Sequence, residues 1–245
     1  MTMLSSKVTC NVGPNAGLLI PLYSDPDRSW SELAMTRISS PSIRVLAVIN
    51  PRNGPGSDID SKYVMGVRQL RASGIDVLGY VHTKYGARNV ALLRNEVDSY
   101  AEWYGVDGIL FDEMANTPGK EPYYAGLTTY AKQKGMQITL GNPGADTTTS
   151  YVDTVDNLVL YDNPDLPPES LFSGWHLNFD KSKFSFVSYG VKKINKELLR
   201  KIAGVVGYFF VTDGEPDNPW NGLPSYFGDL VQFAESMRPM VEQKA

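Results

Sequence analysis

The sequence contains very little cysteine and histidine. Its 245 residues include one cysteine, Cys10, and two histidines. A single cysteine cannot form a disulfide within the chain, so covalent cross-links do not stabilise the fold. The scarcity of thiol and imidazole groups excludes a zinc centre of the Cys/His type, and the His-Glu-x-x-His motif of zinc peptidases is missing. The sequence therefore predicts no metal ligands and no cofactor.

The chain also lacks an excess of positive charge and a long hydrophobic run. Its formal net charge is -4, whereas electrostatic binding to nucleic acid requires a basic face. Residues 1–16 lack the apolar stretch of a signal peptide, and no later stretch approaches a membrane span. We therefore expect no nucleic-acid partner and no membrane span. The sequence fits a cytoplasmic protein or an extracellular one that has been processed, and it indicates no oligomeric state.

Apolar stretches of strand length alternate with amphipathic helical stretches along the chain. The repeat is about 30 residues long and occurs roughly eight times, which is typical of a (β/α)8 or TIM barrel. A doubly wound sheet would carry Gly-x-Gly-x-x-Gly after its first strand, and this chain has Tyr23-Ser24-Asp25-Pro26 there. We predict one α/β catalytic barrel over residues 17–245 and a poorly structured leader over residues 1–16. The predicted strands are residues 17–23, 44–50, 77–83, 109–111, 137–141, 158–164, 183–189 and 205–212.

The predicted helices differ in how clearly the sequence marks them. The first has Ser29 as its predicted cap and includes Met35 and Ile38 in its apolar set, and the last covers residues 226–241. Between strands five and six the helical pattern is weak. Three acids stand before predicted strands, and we expect them in turns at the bottom of the barrel: Asp107, Asp153 and Asp156.

Three other acids stand where predicted strands end. Asp112 and Glu113 follow the buried run Ile109-Leu110-Phe111, and Asp162 follows the apolar start of strand six. Active sites of (β/α)8 barrels lie at these carboxyl ends. Burial there raises the pKa of a carboxyl group, and a neighbouring negative charge makes it harder for both groups to ionise. The pattern predicts a pocket lined with acids.

Paired carboxyl groups are the chemistry of glycosidic bond cleavage. They flank the bond at about 5–5.5 Å for retention of configuration or about 6.5–9.5 Å for inversion. Because Asp112 and Glu113 are adjacent, they point to opposite faces of a regular strand. Either the strand curls at its end, or only one of them reaches the cleft and pairs with Asp162. The competing interpretation is that Asp112 caps the next helix while Glu113 pairs with a lysine.

Further candidates would position sugar rings, because aromatic faces hold the rings of a carbohydrate in an acid-lined pocket. They are Tyr23, Asn50, His82, Asn142, Tyr189 and Trp220. His82 also fits a packed histidine at the rim, and Asn50 and Asn142 also fit turns that end strands. Trp220 lies in a loop rich in proline and glycine.

Other barrel chemistries lack their residues. No lysine stands at a strand end, which argues against a Schiff-base aldolase. The loops after strands seven and eight have no glycine-rich phosphate cradle. Asp112, Glu113 and Asp162 are able to hold Mg²⁺, so a magnesium-dependent barrel enzyme stays an alternative.

Six motifs fall in order along nearly the whole chain, at residues 17–23, 48–56, 79–88, 104–113, 141–144 and 218–226. Through these motifs the sequence resembles the spherulin-4 family (spherulation-specific family 4). The resemblance implies a (β/α)8 glycoside hydrolase acting on a polysaccharide or oligosaccharide. Fungal members of the family are endo-acting on exopolysaccharide that contains N-acetylgalactosamine, which implies an endo-α-1,4-N-acetylgalactosaminidase-like activity.

The resemblance also implies roles for the three acids. The family's Asp-Glu pair falls on Asp112 and Glu113, and its third acid, a glutamate, falls on Asp162, which is one methylene shorter. Asp112 is then the nucleophile or charge stabiliser, with Glu113 or Asp162 as general acid/base. The shorter Asp162 motivates a second hypothesis, a carbohydrate-binding barrel without catalysis.

Overall fold

A computed structural model describes residues 16–237 of the chain. Eight parallel strands, paired in sequence order, close into a barrel, so the predicted (β/α)8 fold is confirmed. The predicted leader lies outside the described residues except for residue 16, as do the last residues of the final predicted helix. The strands are β1 (Gly17–Leu22), β2 (Val45–Ile49), β3 (Asp76–His82), β4 (Gly108–Asp112), β5 (Ile138–Gly141), β6 (Asn157–Pro164), β7 (Phe184–Tyr189) and β8 (Tyr208–Val211).

Six α-helices cover the outside of the described barrel. They are α1 (Arg28–Ser39), α2 (Ser61–Ala72), α3 (Val90–Ser99), α4 (Glu121–Gln133), α5 (Lys196–Val205) and α6 (Phe227–Ser236). The α3 helix continues into one π-helical turn at Tyr100–Tyr104. After β5 there is only a 3-10 turn, and after β6 there are three. The weak helical pattern between strands five and six is therefore confirmed. No helix within residues 16–237 is long and apolar enough to cross a membrane.

The prediction for α1 was wrong in its cap and in part of its apolar face. Asp27 is the N-cap, and its Oδ1 accepts a hydrogen bond from the Ser29 backbone N–H over 2.8 Å. Asp and Ser are both good N-cap residues, and Asp27 takes the position. Met35 and Ile38 are 67% and 65% exposed, because they lie outside the buried stripe. That stripe consists of Trp30, Leu33 and Ala34.

The bottom of the barrel uses two of its acids to join neighbouring strands. Asp107, before β4, accepts from the Val77 backbone N–H over 2.9 Å, and Asp156, before β6, accepts from the Thr139 backbone N–H over 2.7 Å. Asp153 instead pairs with a lysine at the surface. The prediction that these acids lie away from the strands' carboxyl ends is confirmed, and they take no part in the site described next.

Candidate active site

Asp112 ends β4 with both carboxylate oxygens hydrogen-bonded. The Tyr80 hydroxyl on β3 donates to Oδ2 over 2.8 Å, and the Asn142 side-chain amide, directly after β5, donates to Oδ1 over 2.9 Å. Three neighbouring strands thus hold this carboxylate in one orientation at the barrel mouth. The interpretation of Asp112 as a helix cap is wrong, since α4 begins at Glu121 with Lys120 as its N-cap.

Asn142 connects two acids. Its Nδ2 also donates to Asp162 Oδ2 over 2.7 Å, and its Oδ1 accepts from the Gly144 backbone N–H over 3.0 Å. The bond to Gly144 fixes the amide orientation, because only the nitrogen end of an amide donates. Asn142 therefore both closes the turn after β5 and holds the two carboxylates.

Asp162 reaches the mouth because β6 contains a bulge. Val159 pairs with Ser185 of β7 and Tyr161 pairs with the next residue of β7, so Leu160 is left without a partner. In a regular strand Val159 and Asp162, three residues apart, would point to opposite faces. The extra residue reverses the alternation from Tyr161 onward. Asp162 consequently points inward, where it contacts Asn142.

The separation of the two acids follows from their shared partner. Asp112 Oδ1 and Asp162 Oδ2 bond the same nitrogen, so they are no farther apart than the sum of 2.9 and 2.7 Å. The limit applies to the nearest oxygens of the two acids. It is compatible with the about 5–5.5 Å that separates the two carboxyl groups of retaining glycosidases.

Both acids hold their protons more tightly than exposed aspartates do. Burial raises the pKa of Asp162 to about 6, the Asn142 hydrogen bond opposes this rise, and the Asp112 charge adds to it. Burial also raises the pKa of Asp112, while the Tyr80 hydrogen bond lowers it and the Glu113 charge raises it. Asp112 receives the larger number of side-chain hydrogen bonds, so it is the better stabilised anion. Asp162 is the better proton carrier near neutral pH.

Glu113 lies at the point where β4 curls. Its φ is 47°, in the left-handed region that is uncommon for residues other than glycine. Its carbonyl oxygen accepts from the Tyr85 backbone N–H over 2.7 Å and from the Thr83 hydroxyl over 2.8 Å, which holds the curl in place. Within residues 16–237 Glu113 forms no salt bridge, so the predicted lysine pairing is wrong. The chain curls at Glu113, and it is Asp112 that faces Asp162, across Asn142; the role of the Glu113 side chain in the cleft stays a prediction.

Tyr23 and Tyr80 form an aromatic wall beside Asp112. Their rings meet edge to face with centroids 5.5 Å apart. The pKa of each phenol is raised well above the ordinary value for tyrosine. Burial is the largest cause, and the negative charge of Asp112 is the second. Each hydroxyl therefore keeps its proton and is able to donate a hydrogen bond.

Asn50 and His82, at the ends of β2 and β3, contact neighbouring residues of the chain itself. Asn50 Oδ1 accepts from the Gly54 backbone N–H over 2.9 Å, as in a turn that ends a strand. His82 is half-buried, with Arg88 Nη1 at 3.3 Å from its Nδ1 and at 2.7 Å from its carbonyl oxygen. Arg88 is held in turn by a salt bridge to Glu96. Both residues lie at strand ends, and their roles towards a sugar stay predictions.

Tyr189 and Trp220 form a further part of the wall at the mouth. Their rings meet edge to face at 5.6 Å. Trp220 is only 9% exposed, and its carbonyl oxygen accepts from the Tyr23 backbone N–H over 3.0 Å, so its loop crosses from β8 to β1. The tryptophan thus packs as part of the wall and offers little ring surface to a ligand, whereas Tyr189 is half-buried.

The mouth is a poor site for a cation in this arrangement. Among residues 16–237 no group of three or more His, Cys, Asp or Glu side chains is placed to hold a metal ion. An amide N–H group, which carries positive partial charge, stands between Asp112 and Asp162. Magnesium requires oxygen ligands, so the donor set does not favour the magnesium alternative.

Sequence reasoning missed Tyr80, which contacts Asp112 directly. Tyr80 stands two residues before His82 on β3, and the two-residue alternation of strands places both on one face. Applying that alternation inward from the strand end would have found it. The 3-10 segment around Trp175, which follows β6, was also missed, because it carries neither helical nor strand periodicity.

Comparisons with known proteins give the same family as the motifs do. The family model described as spherulation-specific family 4 matches residues 17–234. Spherulin-4 of Physarum polycephalum is 31% identical over 237 residues, which cover 90% of this chain and 70% of that protein.

Solved structures share the barrel. That of Aspergillus clavatus Sph3, in complex with GalNAc, has a TM-score of 0.81 at 24% identity, covering 91% of this chain and 98% of that one. The tryptophan synthase A-subunit of Pyrococcus furiosus has a TM-score of 0.55 at 15% identity, covering 91% and 99%. These likenesses show the fold. The match of the family model over most of the barrel, together with the identity to spherulin-4, shows that this chain belongs to spherulation-specific family 4.

Proposed function

We propose that this protein is a glycoside hydrolase that cleaves a polysaccharide containing amino sugars, with endo-α-1,4-N-acetylgalactosaminidase-like activity. The observation that carries the proposal is the pair Asp112 and Asp162, brought from separate strands onto the amide of Asn142. The hydrolase assignment also draws on the activity that the resemblance to spherulation-specific family 4 implies. The GalNAc bound to the similar Sph3 barrel supports an N-acetylgalactosamine substrate.

Asp112 is the proposed nucleophile. Its carboxylate is fixed by Tyr80 and Asn142, so little reorganisation is needed before its oxygen attacks the anomeric carbon. Asp162 donates its proton to the glycosidic oxygen as that bond breaks. The products of this first step are a free sugar chain end and a sugar bonded covalently to Asp112.

The charge of Asp112 makes Asp162 suited to both halves of the reaction. While Asp112 is an anion, its charge adds to the burial that raises the Asp162 pKa to about 6. Once Asp112 is esterified that charge is gone, so the Asp162 pKa falls and the carboxylate is ready to take a proton from water. Water then attacks the anomeric carbon, releases the sugar and restores both acids. Two displacements at one carbon retain its configuration.

Glu113 influences Asp112 and its partner Tyr80 through its negative charge. Its carboxylate contributes to the raised pKa values of both Asp112 and Tyr80. Tyr23, Tyr189, His82 and Asn50 surround the mouth and would position the sugars. Trp220 supports that wall from behind.

The second candidate is a barrel that binds carbohydrate without cleaving it. It is favoured by the one-methylene shortening at Asp162 relative to the family glutamate, since a shorter acid stands farther from the glycosidic oxygen. The β6 bulge, which turns Asp162 into the mouth, favours the enzyme.

The test is release of new reducing ends from a polysaccharide containing α-1,4-linked N-acetylgalactosamine. Wild type should release them, and Asp112→Asn should lower kcat by a factor of roughly 10⁴ or more, because the nucleophile is lost. Asp213→Asn is the matched control. Asp213 follows β8 at the same end of the barrel, but its carboxylate bonds Ser225, so this variant should retain wild-type activity.

Binding to the polysaccharide by calorimetry, with no new reducing ends after prolonged incubation, would establish the second candidate instead. Equal activity of Asp112→Asn and wild type would show that the site has been misassigned. Loss of wild-type activity in chelator, restored by Mg²⁺, would return the magnesium alternative.

A further inference from the structure

A cavity of about 430 Å³ lies beside β6, where the connections have no α-helix. Its walls include Asp146, Tyr161, Asn163, Trp175 and His176, and we call it the β6 cavity. Its volume falls within the range of about 300–1,000 Å³ that is typical of small-molecule sites. Tyr161 and Asn163 stand on either side of the inward-pointing Asp162, so the cavity and the acid share one strand end.

Two aromatic rings of the cavity are held by the barrel wall. Tyr161 stacks on Phe186 with centroids 5.0 Å apart and planes at 7°, and Trp175 meets the Phe184 ring edge to face at 5.7 Å. Trp175 Nε1 also donates to Asp146 Oδ1 over 3.3 Å. Rings fixed in this way offer apolar surface to a ligand with little loss of side-chain entropy.

The cavity also presents polar side chains next to its rings. Its lining includes Asp146, Asn163 and Ser170. These side chains carry carboxylate, amide and hydroxyl groups, which are able to exchange hydrogen bonds with the hydroxyl groups of a sugar.

We propose that the β6 cavity binds one neutral hexopyranose ring, as an accessory subsite for the polysaccharide whose cleavage is proposed above. Aromatic surface beside hydrogen-bonding groups matches a sugar ring, which has apolar C–H faces and a hydroxyl edge. The lining includes a carboxylate and neither lysine nor arginine, and an anionic ligand would need those cations. The inference rests on the proposed substrate, because the subsite serves the same chain that Asp112 and Asp162 cleave.

The test separates binding from cleavage. In Asp112→Asn protein, which binds without turnover, affinity for a short α-1,4-linked N-acetylgalactosamine oligosaccharide is measured by calorimetry. Adding Trp175→Ala should weaken binding by about tenfold, the effect of losing one well-packed aromatic contact. Asp146→Asn, which keeps the size of the side chain, should weaken it as well. Leu177→Ala is the control, because Leu177 is exposed on the same 3-10 segment as Trp175 but does not line the cavity, and it should bind like the parent.

Tryptophan fluorescence reports on the location. Oligosaccharide should change the emission of the parent protein and of Leu177→Ala, and Trp175→Phe should reduce that change, with Trp220 at the mouth accounting for what remains. Unaltered affinity in both Trp175→Ala and Asp146→Asn would overturn the subsite even if wild type cleaves the polymer. Trp175-dependent binding by a wild-type protein that releases no reducing ends would remove the hydrolase and keep the subsite. Absence of binding in every protein would remove both the subsite and the proposed substrate.

Discussion

The two sides of the barrel are built differently. From β1 to β4 every strand is followed by an α-helix, whereas β5 and β6 are followed by 3-10 turns. The helical side holds Asp112 with a hydroxyl from β3 and ends in the curl at Glu113. The irregular side contributes the bridging Asn142, the re-aimed Asp162 and the β6 cavity.

The two kinds of architecture suit the different requirements of the two carboxylates. A packed strand and helix fix one carboxylate in a single orientation, as a nucleophile requires. A side without α-helices leaves room for a bulge and for a cavity next to the second carboxylate. The proposed nucleophile, Asp112, thus lies on the regular side, and the proposed proton carrier and accessory subsite lie on the irregular side.

The largest effect is expected on catalysis, when Asp162, the acid of the irregular side, is replaced. Asp162→Asn should lower kcat on the polysaccharide by roughly 10²- to 10⁴-fold, since general acid/base catalysis contributes that much. A synthetic substrate with a good leaving group needs no protonation of that group, so its bond-cleavage step should slow far less, as measured by burst kinetics. Asp165→Asn, an exposed acid three residues on, is the control and should match wild type. Equal losses on both substrates would contradict the role of Asp162 as the acid.

Replacing Asn142, which links the carboxylates of the two sides, should have an intermediate effect on kcat/KM. Asn142→Ala removes both hydrogen bonds, and kcat/KM should fall by roughly tenfold to a hundredfold, the effect of losing a bond to a charged group. Its pH profile separates this role from a merely structural one. The Asn142 bond opposes the rise of the Asp162 pKa to about 6, so without it the decline of kcat/KM on the alkaline side should move to higher pH. A lower rate with an unmoved pH profile would show that Asn142 only supports the fold.

The smallest effect is expected on thermal stability, which Asp162→Asn should raise although it lowers activity. The Asp162 pKa is raised to about 6 in the folded state, so the folded protein binds this proton more tightly than the unfolded chain does. The stability associated with that proton is present at low pH and is lost as the pH rises through about 6. Asp162→Asn carries no charge and should melt at a higher temperature than wild type at neutral pH, by roughly 2–4 °C for each kcal/mol gained.

That gain should disappear below about pH 4, where the aspartate is protonated in both states. The measurement is a series of thermal melts across pH, and Asp165→Asn should show no comparable trend. If the variant is less stable than wild type at neutral pH, contacts beyond the Asn142 hydrogen bond must stabilise the buried Asp162 charge.

The strands and the helical side follow from local sequence patterns. Apolar runs such as Ile109-Leu110-Phe111 are short, lie between turn signals and are buried in the structure, so their pattern alone marks them as strands. The end of such a run also locates Asp112 at the mouth. The cap of α1 was missed because Asp27 and Ser29 are both suitable and stand two residues apart.

The arrangement of the irregular side depends on contacts distant in sequence. The position of Asp162 was predicted, but its orientation depends on the register between β6 and β7, which leaves Leu160 unpaired. No local pattern around residue 162 encodes that register. The bridge by Asn142 and the β6 cavity likewise arise from segments that meet only in the folded chain.

The central claim is that Asp112 and Asp162, held on one amide, act as a retaining pair. The most direct measurement is the anomeric configuration of the first-formed reducing end, followed by NMR on mixing wild type with the polysaccharide. The account predicts that the new end first appears with the configuration of the bond that was cleaved, and only later mutarotates. Appearance of the opposite anomer first would show inversion and contradict the account.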